Sequence, residues 1–150
     1  MIKHELVQDW RSEDVVTIGP ETSLPEAHQI MTSRQIRRLP IVDGNGRLIG
    51  IVTLGDVRGA QPSQATTLSV WELNYLLATL PIRKIMTADP ITITPDATIG
   101  EAARVMLENK VSGLPVINKQ QQVVGVITES DIFSMVVLNE WQLTQVAAEA

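Results

Sequence analysis

Displaced by 75 residues, the chain falls on itself without a gap, and this register constrains the fold more than any single motif. Thr17, Ile18 and Pro20 meet Thr92, Ile93 and Pro95. Glu26, Ala27 and Met31 meet Glu101, Ala102 and Met106, and Leu39-Pro40 meets Leu114-Pro115. Gly50, Thr53 and Asp56 meet Gly125, Thr128 and Asp131, which brings the identities to eleven in the forty positions 17–56. Most other core positions exchange one aliphatic residue for another. The chain is two copies of one unit.

Each copy predicts the order β-α-β-β-α. A short extended segment (Val15–Ile18; Ile91–Thr94) precedes a proline and a helix start. Ser23 and Thr98 stand as N-caps with Glu26 and Glu101 three residues on, the capping-box spacing. Leu24, Ala27, Ile30 and Met31 recur at helical spacing, as do Ile99, Ala102, Val105 and Met106. Leu39–Val42 and Leu114–Ile117 are then aliphatic runs, each followed by a second run, Leu48–Val52 or Val123–Ile127. Between the first pair lies Asp43-Gly44-Asn45-Gly46, a hairpin signal because Asn-Gly tolerates positive φ. A last helix begins near Asp56 or Asp131. The segment between the copies predicts a loop at Gln61-Pro62-Ser63 and a helix over Leu68–Leu80, with Val70, Leu73, Leu76 and Leu77 on one face, for core packing first and a dimer contact second. A further amphipathic helix is predicted over residues 132–148. Residues 10–58 and 85–134 are thus the repeats, 59–84 a linker with a helix, and 135–150 a C-terminal helix or tail.

A unit of about 60 residues leaves much of its apolar surface exposed. The copies are therefore expected to pack sheet to sheet with pseudo-twofold symmetry, as one mixed α/β (α+β) fold.

Composition removes several functions. Hydrophobic residues make up 44% of the 150 and charged residues 19%, which is incompatible with disorder. Five aromatic residues are too few for a stacking platform on single-stranded nucleic acid, and a net charge of −5 opposes binding to a phosphate backbone. No apolar run approaches the ~18 residues of a membrane span, and Met1–Glu5 has no signal-peptide core. The absence of cysteine excludes disulfides, thiol catalysis and cysteine-held metals. His4 and His28 are isolated, and no His/Asp/Glu cluster has metal-ligand spacing, so no metal is expected. Ser69, Ser112 and Ser134 lack His/Asp partners, and there is no P-loop. The expectation is a cytoplasmic protein that is not an enzyme, with neither nucleic acid nor membrane as partner.

The repeated G-h-h-T-x-x-D after an L-P-h-h hairpin, preceded by h-T-h-x-P and a helix, resembles the cystathionine β-synthase (CBS) domain. Two in tandem are similar to a CBS pair, and the chain resembles stand-alone, acetoin-utilisation-like members. The resemblance implies a regulatory module that binds adenosine nucleotides such as ATP, ADP or AMP, or derivatives, as regulatory ligands rather than required cofactors. It implies clefts between the repeats, with Thr and Asp of one repeat holding the ribose and segments of the other holding base and phosphates. Carried onto this sequence, the first cleft takes Ser12, Val16, Thr17, Ile36, Arg37, Arg38, Thr128 and Asp131. The second takes Thr87, Ile91, Thr92, Val111, Ser112, Gly113, Thr53 and Asp56. It also implies a homodimer through the helices starting near Asp56 and Asp131, and an unknown protein target.

Charge separates the two clefts. Residues 34–58 carry Arg34, Arg37, Arg38, Arg47 and Arg58 against Asp43 and Asp56, a balance of +3. The matching 109–133 carries Lys110 and Lys119 against Glu129 and Asp131, a balance of zero. The first cleft is therefore expected to be the better phosphate site, since paired guanidinium groups chelate phosphate oxygens. Two plainer readings stand beside these: Thr53/Asp56 and Thr128/Asp131 as helix caps, and the whole chain as a dimerisation scaffold without ligand.

Overall fold

The computed structural model describes residues 5–60 and 69–141. The first copy builds α2 (Leu24–Arg34), β1 (Arg38–Val42), β2 (Leu48–Thr53) and α3 (Leu54–Gly59), after a one-turn α1 (Val7–Trp10). Next come α4 (Val70–Thr79), a 3₁₀ turn at Ile82–Lys84 and a two-residue β3 (Thr87–Ala88). The second copy follows with α5 (Ile99–Asn109), β4 (Gly113–Ile117), β5 (Val123–Thr128) and α6 (Glu129–Val136), which continues into a π-helical turn, Val137–Trp141. The predicted Gln61-Pro62-Ser63 loop and the part of the 132–148 helix beyond Trp141 lie outside the described residues. The last helix itself starts at Glu129, with Asp131 in its first turn.

The chain forms two compact units, Val16–Pro90, and Met1–Val15 with Ile91–Ala150. Sequence repeats and spatial units therefore do not coincide, because each repeat's leading segment packs on the other repeat's body. Leu6 bridges Thr98, and Pro81 bridges Ser23. The Val7 N–H donates to the Ala97 carbonyl at 2.8 Å, and the Ile82 N–H to that of Thr22 at 2.7 Å. Ser12 bridges Val126, and Thr87 pairs with Ile51. Each of these pairs in one unit is the 75-residue image of one in the other.

The strands form antiparallel hairpins, β1–β2 with β3 added on β2, and β4–β5. The extended segments 15–18 and 91–94 are not full strands. Each makes a single parallel bridge, Ile18 with Ile41 and Ile93 with Val116. Pro20 and Pro95 follow two residues later, and a residue without an N–H cannot extend the ladder. Ser23 and Thr98 cap α2 and α5 by accepting from the Glu26 and Glu101 N–H groups at 3.3 and 3.1 Å. Among the described residues the reciprocal glutamate bond of a capping box is not made at either helix.

Two cores result. One buries Ile18, Leu24, Ala27, Met31, Leu39, Ile41, Val52, Val57 and Ile82; the other buries Val7, Ile93, Ile99, Ala102, Met106, Leu114, Val116 and Ile127. Eight members of each set are images of one another. Fully burying a side chain of the Leu, Ile or Met class stabilises the fold by about 1.5–3 kcal/mol. The leading segments contribute Val7 and Ile82 to these cores, so the exchange of segments is part of the packing.

Helix α4 departs from expectation. It has no buried residue, and of its apolar side chains Leu77 packs on the first core, followed by Leu80 just past its end. Val70 and Leu76, expected inward, are exposed. At 3.6 residues per turn Leu76 stands about 100° around the axis from Leu77, too far to share its contact.

Candidate functional site

The G-h-h-T-x-x-D motif occupies the end of the second strand of each hairpin and the first turn of the helix after it. Thr53 is the N-cap of α3 and Asp56 its third residue. The Thr53 N–H donates to Asp56 Oδ2 at 2.9 Å, and the Asp56 N–H donates to Thr53 Oγ1 at 3.1 Å. In the other unit the Thr128 N–H and hydroxyl both donate to Asp131 Oδ2, at 2.8 and 3.2 Å. Capping is thus a role these residues have. It occupies one carboxylate oxygen and leaves Oδ1 of Asp56 and of Asp131 without a hydrogen bond among the described residues. Both carboxylates are half-buried at a helix N-terminus, where the backbone partial charge favours an anion. An oriented acceptor of this kind can take hydrogen bonds from a pair of hydroxyls.

The segment before Leu-Pro lies beside this corner in each unit. The Leu54 N–H donates to the Arg37 carbonyl at 2.8 Å and the Glu129 N–H to the Ser112 carbonyl at 3.0 Å. Arg38 stands opposite Thr53 in the β1–β2 ladder, and Gly113 opposite Thr128 in β4–β5. Arg37 is exposed and Arg38 half-buried. Ile36 and Val16 pack on one core, Val111 on the other.

The structure accordingly brings Ile36, Arg37, Arg38, Thr53, Asp56 and Thr87 into one unit, with Val16 and exposed Thr17 leading into it. The other unit holds Ser12, Val111, Ser112, Gly113, Thr128 and Asp131, with exposed Ile91 and half-buried Thr92. Within a unit Arg37 and Arg38 adjoin Thr53 and Asp56, whereas Ser12 pairs two residues before Thr128. Of the residues carried to the first cleft, Ser12, Thr128 and Asp131 belong to one unit and Val16, Thr17, Ile36, Arg37 and Arg38 to the other.

Two residues of these corners carried no signal in the motif itself. A Cβ on Gly125 would overlap Arg11 Cδ and approach the Ser12 carbonyl oxygen at 2.9 Å. A Cβ on Gly50 would meet Met86 Sδ at 2.5 Å and the Thr87 carbonyl oxygen at 3.1 Å. The glycine of G-h-h-T-x-x-D is required by the close passage of the leading segment over the strand. Arg11 and Met86 are images under the 75-residue shift, which was the available cue. Arg11 is fastened there, its Nε–H donating to the Val124 carbonyl at 2.9 Å and its NH1 to that of Gln8 at 3.0 Å.

Among the described residues no helix is long and apolar enough to cross a membrane, and no three His, Cys, Asp or Glu side chains are grouped to hold a metal ion.

A twice-repeated mixed α/β unit, with its Thr-x-x-Asp corner formed in both copies, defines a tandem-repeat module. The CBS-domain family model matches residues 7–63 and 82–138, and the chain belongs to the CBS-domain family as a pair of such domains. It is 35% identical over 120 residues to an inosine-5′-monophosphate dehydrogenase of Korarchaeum cryptofilum, covering 80% of this chain but 22% of that enzyme. The chain therefore spans about a fifth of that relative's length. The CBS domain pair of protein MJ0100, solved in complex with 5′-methylthioadenosine and S-adenosyl-L-methionine, is similar at 32% identity and a TM-score of 0.74, over 89% of this chain and 96% of that one. A Vibrio cholerae protein assigned to acetoin utilization (AcuB) is similar at 29% identity and a TM-score of 0.75, over 99% of this chain and 98% of that one.

Proposed function

We propose that this chain is a regulatory sensor that binds an adenosine-type ligand and acts as a binding module rather than as an enzyme. The observation that carries the reading is the Thr-x-x-Asp corner, formed in both units with one carboxylate oxygen engaged and the other open. The MJ0100 pair, with its two adenosine ligands, supplies the chemical class. Asp131 and Thr128 hold the ribose of one ligand together with Ser12, Val16, Thr17, Ile36, Arg37 and Arg38. Asp56 and Thr53 hold that of a second, weaker ligand together with Thr87, Ile91, Thr92, Val111, Ser112 and Gly113. The five arginines of residues 34–58 favour a phosphate-bearing ligand at the first of these sites.

The proposal extends to a cytoplasmic homodimer that reports ligand occupancy to a protein target. The apolar surface such a pairing needs is on α6, where Phe133 and Val136 are exposed; α3 exposes no large apolar side chain among the described residues.

The test is a thermal-shift series with AMP, ADP, ATP, 5′-methylthioadenosine and S-adenosylmethionine, followed by calorimetry on the ligand giving the largest shift. A ligand that binds only the folded state raises the midpoint by mass action, about 2.7 kcal/mol of stability at a hundredfold excess over Kd. A midpoint unmoved by all five at millimolar concentration overturns the sensor and leaves the scaffold reading.

A further inference from the structure

Glu5 joins three pieces of one unit. Its carbonyl accepts the Ile99 N–H at 2.9 Å, at the start of α5. Its side chain takes a donor on each carboxylate oxygen. Oε2 accepts from the Trp10 indole N–H at 2.8 Å, and Oε1 accepts from Asn139 Nδ2 at 3.0 Å. Asn139 lies in the π-helical turn that continues α6, 134 residues away in the chain. The 75-residue image of Glu5 is Leu80, which makes the same backbone bond by accepting from the Leu24 N–H at 2.9 Å. Its side chain packs on the first core, as does that of Ile85, the image of Trp10. Aliphatic residues therefore satisfy these two places in one unit. In the other, a carboxylate engaged at both oxygens stands where the fold accepts a leucine.

We infer that Glu5 is a positioning residue for the ligand of the Thr128–Asp131 corner, and that it carries occupancy of that corner to the far end of α6, a role that rests on the sensor reading above. The residues of this unit assigned to that ligand, Ser12, Thr128 and Asp131, close a ring with the Glu5 contacts. Ser12 exchanges backbone bonds with Val126 at 3.0 and 3.2 Å, two residues before Thr128. Asp131 lies in the first turn of α6, whose Ile132 and Met135 pack on the same core as Trp10. Asn139 stands eight residues farther on, about 12 Å at helical rise, and Glu5 returns the ring through Trp10 to Ser12. A ligand held by Ser12 and Asp131 together needs the leading segment and the first turn of α6 at one separation. The Glu5 link fixes that separation from the other end, so less ordering is left for the ligand to impose. Such coupling is reciprocal: the ligand tightens the link by the factor by which the link tightens the ligand. The unit of the Thr53–Asp56 corner has Leu80 in place of Glu5, and a leucine side chain cannot form this link. Of the two proposed ligands, the one at Asp131 is the one whose binding reaches Asn139.

The experiment is calorimetry on the intact chain with the five adenosine compounds of the thermal-shift series, comparing wild type with Glu5→Ala, Asn139→Ala and Glu5→Gln. Both alanine variants cut the ring and should weaken binding by about fivefold or more, the lower end of couplings between sites. Glu5→Gln keeps the ring: its oxygen accepts from Trp10, and its NH₂ donates to Asn139 once that amide is turned over. Its affinity should stay closer to wild type than to Glu5→Ala. The second readout is hydrogen exchange of the Trp10 indole N–H by NMR, its signal identified with Trp10→Phe. Ligand should slow this exchange in wild type and leave it unchanged in Asn139→Ala. Far-UV circular dichroism and the midpoint without ligand establish that each variant is folded. A residue that only supports the fold would lower that midpoint and leave affinity alone. Equal affinity in wild type and both alanine variants therefore overturns the role of Glu5 while the sensor stands, and so does an indole exchange rate unmoved by a ligand that binds. A wild-type chain that binds none of the five compounds overturns the sensor reading and the role of Glu5 together.

Discussion

Oδ2 of Asp131 receives both the amide N–H and the hydroxyl of Thr128, at 2.8 and 3.2 Å, and so the carboxylate is held in one orientation before any ligand arrives. One residue thereby has two separable roles, cap and ligand acceptor. Asp131→Ala removes both, at a cost of about 0.3–1.5 kcal/mol in stability, the range for one element of a helix-capping motif. Asp131→Asn separates them. Its amide oxygen can still face the Thr128 N–H, while its NH₂ group replaces Oδ1 and cannot accept from a ribose hydroxyl. The expected outcome is near-native stability by urea titration and lost adenosine-ligand binding by calorimetry. Asp56→Ala should leave the tighter site unchanged. An Asp131→Asn protein that binds as wild type would reduce the corner to a cap.

The two motif glycines differ in what presses on them. Above Gly125 stand the Arg11 side chain, fastened to the Val124 and Gln8 carbonyls, and the Ser12 backbone oxygen at 2.9 Å from a built Cβ; above Gly50 stand the Met86 thioether and the Thr87 backbone oxygen at 3.1 Å. A thioether can swing aside, and a guanidinium held by two hydrogen bonds cannot without breaking them. Gly125→Ala should therefore destabilise by about 1–3 kcal/mol, the range for overpacking, and Gly50→Ala by less. Urea midpoints of the two variants, compared at equal m-value, check the order.

The hairpin turns are a second internal control. Gly46 has φ 81° and its image Gln121 has φ 66°, the left-handed region that glycine enters without steric penalty. Both turns are otherwise built alike. Asp43 Oδ1 accepts from the Asn45 and Arg47 amides, and Asn118 Oδ1 from those of Gln120 and Gln122, all at 2.8–3.0 Å. Gln121→Gly should stabilise by about 0.5–1 kcal/mol, the left-handed penalty less the extra chain entropy of glycine. Gly46→Gln should destabilise by a similar amount. Thermal midpoints moving in opposite directions are the readout.

Periodicity and register made the helices, hairpins and core legible in the sequence. Ile18, Leu24, Met31, Leu39 and their images are buried as their spacing implies. The exchange of leading segments was not legible, because α1 is a four-residue turn and β3 two residues, too short for any period to show. The hairpin signal Asn45-Gly46 pointed to the right place with partly the wrong reason. Only Gly46 has positive φ, and the second copy reaches the same turn through Asn118 with no glycine at all. Helix α4 was read inward with Val70, Leu73, Leu76 and Leu77 on one face, whereas Leu76 stands about 100° from Leu77, and Val70, on the Leu77 side of the axis, is the first residue of the helix and exposed. At the site, the Thr-x-x-Asp corner was legible as a motif. Its division of labour between Oδ2 and Oδ1 was not, since that depends on which oxygen the cap amide takes.

The remaining prediction concerns Arg38, half-buried opposite Thr53 and next to exposed Arg37. If these guanidinium groups hold phosphate, their contribution must depend on the ligand having one. AMP carries a phosphate, and 5′-methylthioadenosine presents the same base and ribose with a thioether in its place. Arg38→Ala should weaken AMP by about 1–3 kcal/mol, the range for a hydrogen bond to a charged group, and leave 5′-methylthioadenosine within error. Raising salt from 0.05 to about 0.5 M should weaken AMP in wild type, because exposed charge pairs are screened beyond a few ångströms, and should weaken it less in the variant. Calorimetry on the two ligands at two salt concentrations gives all of the needed comparisons. Equal losses for both ligands would mean that Arg38 supports the fold of the site rather than the phosphate, and a loss confined to 5′-methylthioadenosine would contradict the assignment outright.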